Sequence, residues 1–520
     1  MSNTSLPKIN FLHSSKWLSW FIIASSIVLR LIEYLNNPSL FGDEAAIALP
    51  IMNRTFSGLL FPLEGGQSAP FGFLMVEKLI VKLLGPSDYT FRLFPFLCGI
   101  ISPVFFYKIA KHYINPKVIP VALGLFAVSD RLIYYSATIK QYSSDVAIAL
   151  LLYMATIWIQ SRKLTIARFV LFGILGAIVI WFSHPAVFVL AGIGICLALF
   201  SFIEKDYTKI SRLSITYLFW VASTASLAIF YILYHRESPS YVFLRNWWAH
   251  AFMPFPPLSF TDVEWFFNTF INMGMFSIIG KWWDMLKPSV SLNDIGLQKL
   301  VISIITMLFF YVGCISMCYE KRRNFFILIS PMFLALFASG LHIFPFADRV
   351  ILFLMPVIFL FIAEGAEQIS DKIMRNSVIN WVILLVIVFV YPLKSAAYHV
   401  DHTRSRHGDI RQVVDYIVKN QKIGDLAYFR GVAVPGVCRY YSTVYSIRNT
   451  GCSGMLTLDL NDLLNDLSTL KEKGRVWIIF PPRNKGNVER DALNYLDSIG
   501  TRLETFISKH GPSVYLYVVK

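Results

Sequence analysis

Two adjacent carboxylates, Asp43 and Glu44, stand in the stretch Phe41-Gly42-Asp43-Glu44-Ala45-Ala46, just after the first long apolar segment. A carboxylate at a membrane surface can act as a general base, accepting the proton of a hydroxyl as it attacks. The pair also has a structural reading, with Asp43 capping a helix that starts near Ala45 and Glu44 in its first turn. Spacing alone leaves both open. A second group runs from Tyr134 and Tyr135 through Thr138, Lys140, Gln141 and Tyr142 to Asp145. One lysine among hydroxyls and an amide can hold a phosphate as a point charge backed by hydrogen-bond donors. Equally, Asp145 can cap the following helix while Lys140 snorkels to lipid headgroups. His184, in Phe182-Ser183-His184-Pro185-Ala186, is a third candidate, either packed or shaping a site. No partner His or Cys stands at metal-ligand spacing, so no metal site is expected. Arg92 and Arg349 complete the set, each a site residue or an interfacial anchor.

These residues must be positioned by a membrane-embedded scaffold. Of the 520 residues, 56% are hydrophobic and only 15% charged. Mean hydropathy is +0.56. The apolar residues come in charge-poor blocks of about 20, the length that crosses a bilayer as a helix. About eleven spans are expected: 17–35, 90–109, 118–135, 142–160, 166–183, 185–203, 213–234, 298–318, 325–342, 350–366 and 377–396. His184-Pro185 falls between two spans with almost no loop, which predicts a tight hairpin. Basic residues recur in alternate loops, as at Lys108, Lys111 and Lys117, then Arg162, Lys163 and Arg168, then Lys321, Arg322 and Arg323. The positive-inside rule then puts the N-terminus in the cytoplasm and every candidate residue on the outer side. The net charge of +15 reads as loops facing anionic lipid rather than as a nucleic-acid surface.

Three larger outer pieces follow from that topology. Residues 36–89 are expected to hold two amphipathic helices along the membrane surface, Ala45–Leu60 and Phe71–Leu84. Residues 235–297 are rich in aromatics and proline. Clusters such as Trp17, Trp20, Trp247, Trp248, Trp282 and Trp283 read as interfacial anchors. From about residue 400 the pattern turns into a soluble α/β one. Ile410, Val413, Val414, Ile417 and Val418 make a helical stripe, and Val476–Phe480 and Val514–Val519 read as strands. The division is thus 1–399 as membrane module and 400–520 as outer α/β domain. Of six cysteines, Cys98, Cys196, Cys314 and Cys318 lie in or near apolar spans and read as inert. Cys438 and Cys452 are available to pair in an oxidising compartment.

At this point the chain resembles the C-type (GT-C) integral-membrane glycosyltransferases, specifically the protein O-mannosyltransferase and aminoarabinose-transferase branch called family 39. Four features carry the likeness, in order along residues 15–370: the Asp43-Glu44 pair, Phe91-Arg92-Leu93-Phe94-Pro95 leading into the second span, Ile133 to Tyr142, and Arg349 to Pro356. Each is weak alone; together on one topology they are fairly specific. Thr138 stands where many relatives have Glu, and Val350 where the late motif often has Tyr. The first departure bears on how the donor is held.

The resemblance implies a polyprenyl-phosphate-linked sugar donor, inversion at the anomeric carbon, and an acceptor that is a glycan, lipid or protein. Asp43 would be the base and Glu44 its orienter or the alternative base. Lys140 and Tyr142, with Arg92 or Arg349, would hold the donor phosphate; His184, Tyr135 and Asp145 would shape the site or meet the acceptor. The segment 235–297 would roof the site or guide the lipid tail. No cofactor is implied. A polyprenyl-phosphate leaving group departs without a general acid, so one carboxylate suffices where glycosidases need two. The positive loops fit a bacterial inner membrane with the C-terminal domain outside, an endoplasmic-reticulum membrane being the alternative. A transporter or flippase of lipid-linked or small polar cargo is the other class considered. Transporters tend towards internal repeats and midplane sites, whereas the polar candidates here gather at one surface.

Overall fold

The computed structural model describes residues 11–40, 42–160, 165–278, 297–373, 409–429, 434–447, 449–452, 467–471, 473–480, 487–508 and 512–519, with isolated positions at 389, 393–394, 396–397 and 465. Among these described residues fifteen α-helices come first. In chain order they are α1 (Phe11–Asn36), α2 (Gly42–Asn53), α3 (Phe71–Leu84), α4 (Asp88–Tyr113), α5 (Ile119–Val128), α6 (Asp130–Tyr135), α7 (Tyr142–Gln160) and α8 (Ile166–Val179). They continue with α9 (Ala186–Ile203), α10 (Tyr207–Tyr234), α11 (Pro239–Trp247), α12 (Phe260–Ile278), α13 (Leu297–Glu320), α14 (Arg322–Gly340) and α15 (Met355–Gln368).

Among the described residues, eight helical segments are long and apolar enough to cross a membrane, and α5 and α8 are shorter apolar helices. The chain is therefore an integral, multi-pass membrane protein. The expected span 377–396 lies largely outside the described residues, as do Trp282 and Trp283. Side chains on α10 show the solvent they are built for: Leu218, Val221, Ile229 and Leu233 are all exposed. So much contiguous apolar surface is unsuited to water and matches lipid. Trp17, Trp20 and Trp247 are exposed as well.

The chain divides into two compact units. The first comprises Met1–Tyr34, Ala69–Leu74 and Leu93–Val400. At its centre α15 is buried on all sides from Met355 to Glu367. It crosses α13 with backbone against backbone. A Cβ at Gly313 would lie 1.9 Å from the Phe361 carbonyl oxygen, and one at Gly365 equally close to that of Phe309. Small residues at such crossings let helices gain packing contacts that lipid cannot supply. Glu364 on α15 pairs with Lys321 at 3.2 Å. The expected span 118–135 is broken: Ser129 adopts an extended conformation between α5 and α6. Likewise the span expected over 166–183 leaves helix at Val179, turning through residues 180–185 ahead of α9.

The second unit comprises Leu35–Ser68, Met75–Arg92 and Asp401–Lys520. Residues 35–68 and 75–92 thus cluster with the C-terminal region. Its C-terminal part holds α16 (Ile410–Asn420), β1 (Leu426–Phe429), α17 (Val434–Val444), β2 (Thr450–Cys452), β3 (Gly474–Phe480), α18 (Asn487–Ile499), β4 (Gly500–Ile507) and β5 (Ser513–Val519). The strands form one mixed sheet in the order β2-β1-β3-β5-β4. β1 is parallel to β2 and β3, while β5 is antiparallel to β3 and β4. Both expected strands are present, and the expected stripe buries Ile410, Val413, Val414 and Ile417, with Val418 left exposed. Leu467, Leu470, Val476, Ile478, Phe480 and Leu496 pack with Tyr517 as a core. Cys438 is disulfide-bonded; the four membrane-segment cysteines are not in disulfides, leaving Cys452 as the sixth cysteine of the sequence.

Of the two surface helices expected before α4, the second has its predicted bounds. The first ends at Asn53, not Leu60. The Thr55 hydroxyl accepts from the Gly58 amide at 3.1 Å and turns the chain. Nor is this helix amphipathic, since Ala45, Ala46, Ile47, Ala48 and Ile51 are all buried.

Candidate functional site

The sequence-predicted residues are divided between the two units. In the second unit, α2 begins at Gly42, so Glu44 is a first-turn residue as expected, and Asp43 is one too rather than the cap. Carboxylates there are favoured by the free amides and dipole of a helix start. Asp43 is partly exposed and Glu44 is buried. Arg92, 1% exposed, meets both oxygens of Glu44, with Nη2 to Oε2 at 3.0 Å and Nη2 and Nε to Oε1 at 3.2 and 3.3 Å. Its Nη1 donates to Asn37 Oδ1 at 2.9 Å and to the Pro38 carbonyl. All three guanidinium nitrogens are thus engaged by the segment around the acidic pair. Planar, bidentate contact of this kind is what arginine offers a carboxylate and lysine does not.

Behind this pair stands a cluster that sequence reasoning missed. Asp88, the first residue of α4, accepts from Tyr440 at 2.7 Å and from Tyr441 at 3.1 Å. Arg411 lies 3.6 Å from the same carboxylate. Burial, and then the Asp88 charge, push both phenols well above their ordinary range, so each stays a donor. The sequence separation is about 350 residues, and no local pattern signals such a pairing.

In the first unit, the turn between α6 and α7 gathers the other group. Tyr135 and Tyr142 stack edge to face with ring centroids 4.9 Å apart. The Arg349 guanidinium sits over the Tyr142 ring at 5.8 Å and over the Trp248 ring at 5.6 Å. Trp248 was legible only as an interfacial aromatic. Lys140 is buried, and its backbone amide donates to the Thr138 carbonyl at 2.7 Å, which tightens the turn. Thr138 gives its hydroxyl to the Tyr134 carbonyl at 2.8 Å. Asp145 is buried one turn into α7, with Ser183 as a polar neighbour.

His184 falls elsewhere in that unit. Its Nε2 meets the Tyr231 hydroxyl at 2.9 Å, and Tyr231 in turn lies against His235 with centroids 4.7 Å apart. Burial, then the neighbouring His235, hold the His184 imidazole below its ordinary range. Among the described residues no hydrogen bond or ring contact joins His184 to Lys140, Tyr142 or Arg349. Nor is any group of three or more His, Cys, Asp or Glu side chains there arranged to hold a metal ion.

The fold was compared with solved structures. ArnT from Cupriavidus metallidurans bound to undecaprenyl phosphate is similar over 96% of this chain and 98% of its own, with a TM-score of 0.56 and 12% identity. The apo state of the same protein gives 0.55 over 95% and 97%, again at 12% identity. An oligosaccharyltransferase from Archaeoglobus fulgidus, tethered with an acceptor peptide containing the NVT sequon, gives 0.50 over 96% and 74% at 10% identity. No family model matches the sequence, and no curated protein matches it. The likeness is one of architecture across nearly the whole chain, and the fold is the GT-C fold of integral-membrane glycosyltransferases.

Proposed function

We propose that this chain is an inverting glycosyltransferase that moves a sugar from a polyprenyl-phosphate carrier to an acceptor hydroxyl at the extracytoplasmic membrane face. One observation carries the reading: the architecture matches, over 96% of the chain, that of a protein crystallised with undecaprenyl phosphate. The order and spacing of the four family-like motifs support the same branch. In this reading Asp43 takes the proton of the acceptor hydroxyl. The acceptor oxygen forms its bond to the anomeric carbon as the bond to the carrier phosphate breaks, and the polyprenyl phosphate leaves with the electron pair. Glu44, locked by Arg92, orients the turn that bears Asp43. Lys140 and Tyr142, with Arg349 over the Tyr142 ring, hold the phosphate and offset its growing charge, the kind of contact worth about 3 kcal/mol in a transition state. Residues 1–399 form the transferase module, and 400–520 the outer domain. The positive loops support a cytoplasmic N-terminus and a bacterial inner membrane.

The test is direct. Purified protein in lipid nanodiscs is incubated with radiolabelled polyprenyl-phosphate sugars and a membrane extract, and the labelled product is identified. Label transferred with loss of the carrier phosphate supports the reading. Label that stays on the carrier across a panel of sugars and acceptors counts against it.

A further inference from the structure

Four residues, Asn37 to Leu40, connect α1 to the turn that bears Asp43, and they have no regular secondary structure. Buried backbone outside helix and sheet must find its hydrogen bonds elsewhere. Here they come from the C-terminal region. The Leu40 amide donates to the Tyr441 hydroxyl at 2.7 Å. Arg411 donates through Nη2 to the Asn37 carbonyl. The Ser39 hydroxyl donates to Asp409 at 2.7 Å, and Asp409 is itself held by Arg411 Nε at 2.9 Å. Three of the four connecting residues are therefore tied to positions more than 350 residues away in sequence.

The ties converge on one anchor. Tyr440 and Tyr441 are neighbours on α17, about 100° apart around the helix, yet each reaches a different oxygen of Asp88. Their rings stand nearly perpendicular, with centroids 4.9 Å apart, and neither is exposed. Tyr441 thus gives its proton to Asp88 and accepts one from Leu40, so its single oxygen links the start of α4 to the segment ahead of Asp43. A second contact runs alongside: Gly436 on α17 lies over Ala46 of α2, where an added Cβ would sit 3.4 Å from the Ala46 amide nitrogen.

We propose that Tyr441, Tyr440 and Arg411 are positioning residues for the transfer reaction, bracing the segment 37–40 and hence the orientation of Asp43. The C-terminal region then acts as a brace for the first turn of α2, whatever else it binds. This rests on the reading of Asp43 as the base. Side-chain placement to within a fraction of an ångström is what such a brace secures, since a misplacement of about 1 Å can cost on the order of a hundredfold in rate.

The full-length protein in nanodiscs serves for the test, as Tyr441→Phe, Tyr440→Phe and the double variant. Tyr517→Phe is the control: it removes an equally buried hydroxyl from the same unit, one that contacts Asp497 and Arg502 instead. Backbone hydrogen exchange is followed by mass spectrometry over peptides covering 37–50. Exchange there rises about tenfold or more in Tyr441→Phe, and more in the double variant, but not in Tyr517→Phe. In transfer assays kcat falls about tenfold in Tyr441→Phe and about a hundredfold in the double variant, while KM for the donor stays within about twofold. Unchanged exchange over 37–50 in the double variant overturns the brace, as does an equal kcat loss in Tyr517→Phe. If the wild-type protein transfers nothing, the proposed function has failed, and the exchange data still decide whether the brace exists.

Discussion

Arg92 closes on both carboxylate oxygens of Glu44 with neither side chain more than 5% exposed. A buried pair of this kind loses two hydration shells, and its mutual attraction does little more than offset that loss. Its worth lies in geometry. The guanidinium also reaches Asn37 and the Pro38 carbonyl, so one side chain on α4 fixes both the start of α2 and the segment before it.

Removing one partner should therefore be worse than removing both. Glu44→Gln leaves a buried arginine without its counter-charge, a change that costs about 3–5 kcal/mol in comparable pairs. Thermal unfolding in detergent should show Glu44→Gln and Arg92→Met each markedly less stable than wild type, and Glu44→Leu/Arg92→Met recovering a good part of the loss. Single variants that melt with the wild type would show the pair to be dispensable.

Asp43, unlike its neighbour, is not fully buried, as a base that meets a substrate should be. General-base removal typically costs about 10²–10⁴ in rate. Asp43→Asn should lose at least that much in kcat while melting within a few degrees of wild type and binding donor normally. Wild-type turnover by Asp43→Asn would remove this carboxylate from the mechanism.

What could be read from the sequence was whatever is local. Apolar blocks near 20 residues give the spans because a bilayer imposes that length on any helix crossing it. Short, continuous, β-branched and aromatic runs give β3 and β5, and a period of 3.6 gives α16, in the C-terminal region. Breaks set by single residues were not legible: Ser129 interrupts a run whose hydropathy is continuous, and the Thr55–Gly58 turn ends α2 early. Of the site, Asp43, Glu44 and Arg92 were legible as candidates, yet the grip of Arg92 on Glu44 was not. Least legible was the Asp88–Tyr440–Tyr441 cluster. Its members are ordinary surface residue types, and only the folded chain brings them together.

Arg349 lies against two rings at once, Tyr142 and Trp248. Contacts of this sort are worth about 0.5–2 kcal/mol each and depend on the ring rather than on a hydroxyl. If Arg349 and Lys140 hold the donor phosphate, Tyr142→Phe should weaken donor binding only slightly and Tyr142→Leu by about threefold to thirtyfold. Arg349→Lys should resemble Arg349→Ala more than wild type, because an ammonium neither stacks nor forks. Lys140→Ala should raise the donor Kd with little effect on fold. Donor titrations that do not distinguish these variants from wild type would leave the group as a membrane anchor.

Glu77 offers a test that needs no substrate. It lies on α3 with no exposed surface, and neither carboxyl oxygen has a hydrogen-bond partner among the described residues. Burial pushes its carboxyl well above the usual range. An unfolded chain releases that proton near the ordinary glutamate value of about 4.3, whereas the folded chain keeps it to higher pH. Between those two points the folded state binds one more proton than the unfolded state, so this group lowers stability progressively as pH rises. Glu77→Gln has nothing to ionise and escapes the penalty. Its melting temperature should match the wild type at about pH 4 and exceed it increasingly towards about pH 8, where each kcal/mol gained corresponds to about 2–4 °C in a unit of this size. A difference that stays flat with pH, or that favours the wild type at the alkaline end, would mean that the Glu77 carboxylate is ionised and paired in the folded protein.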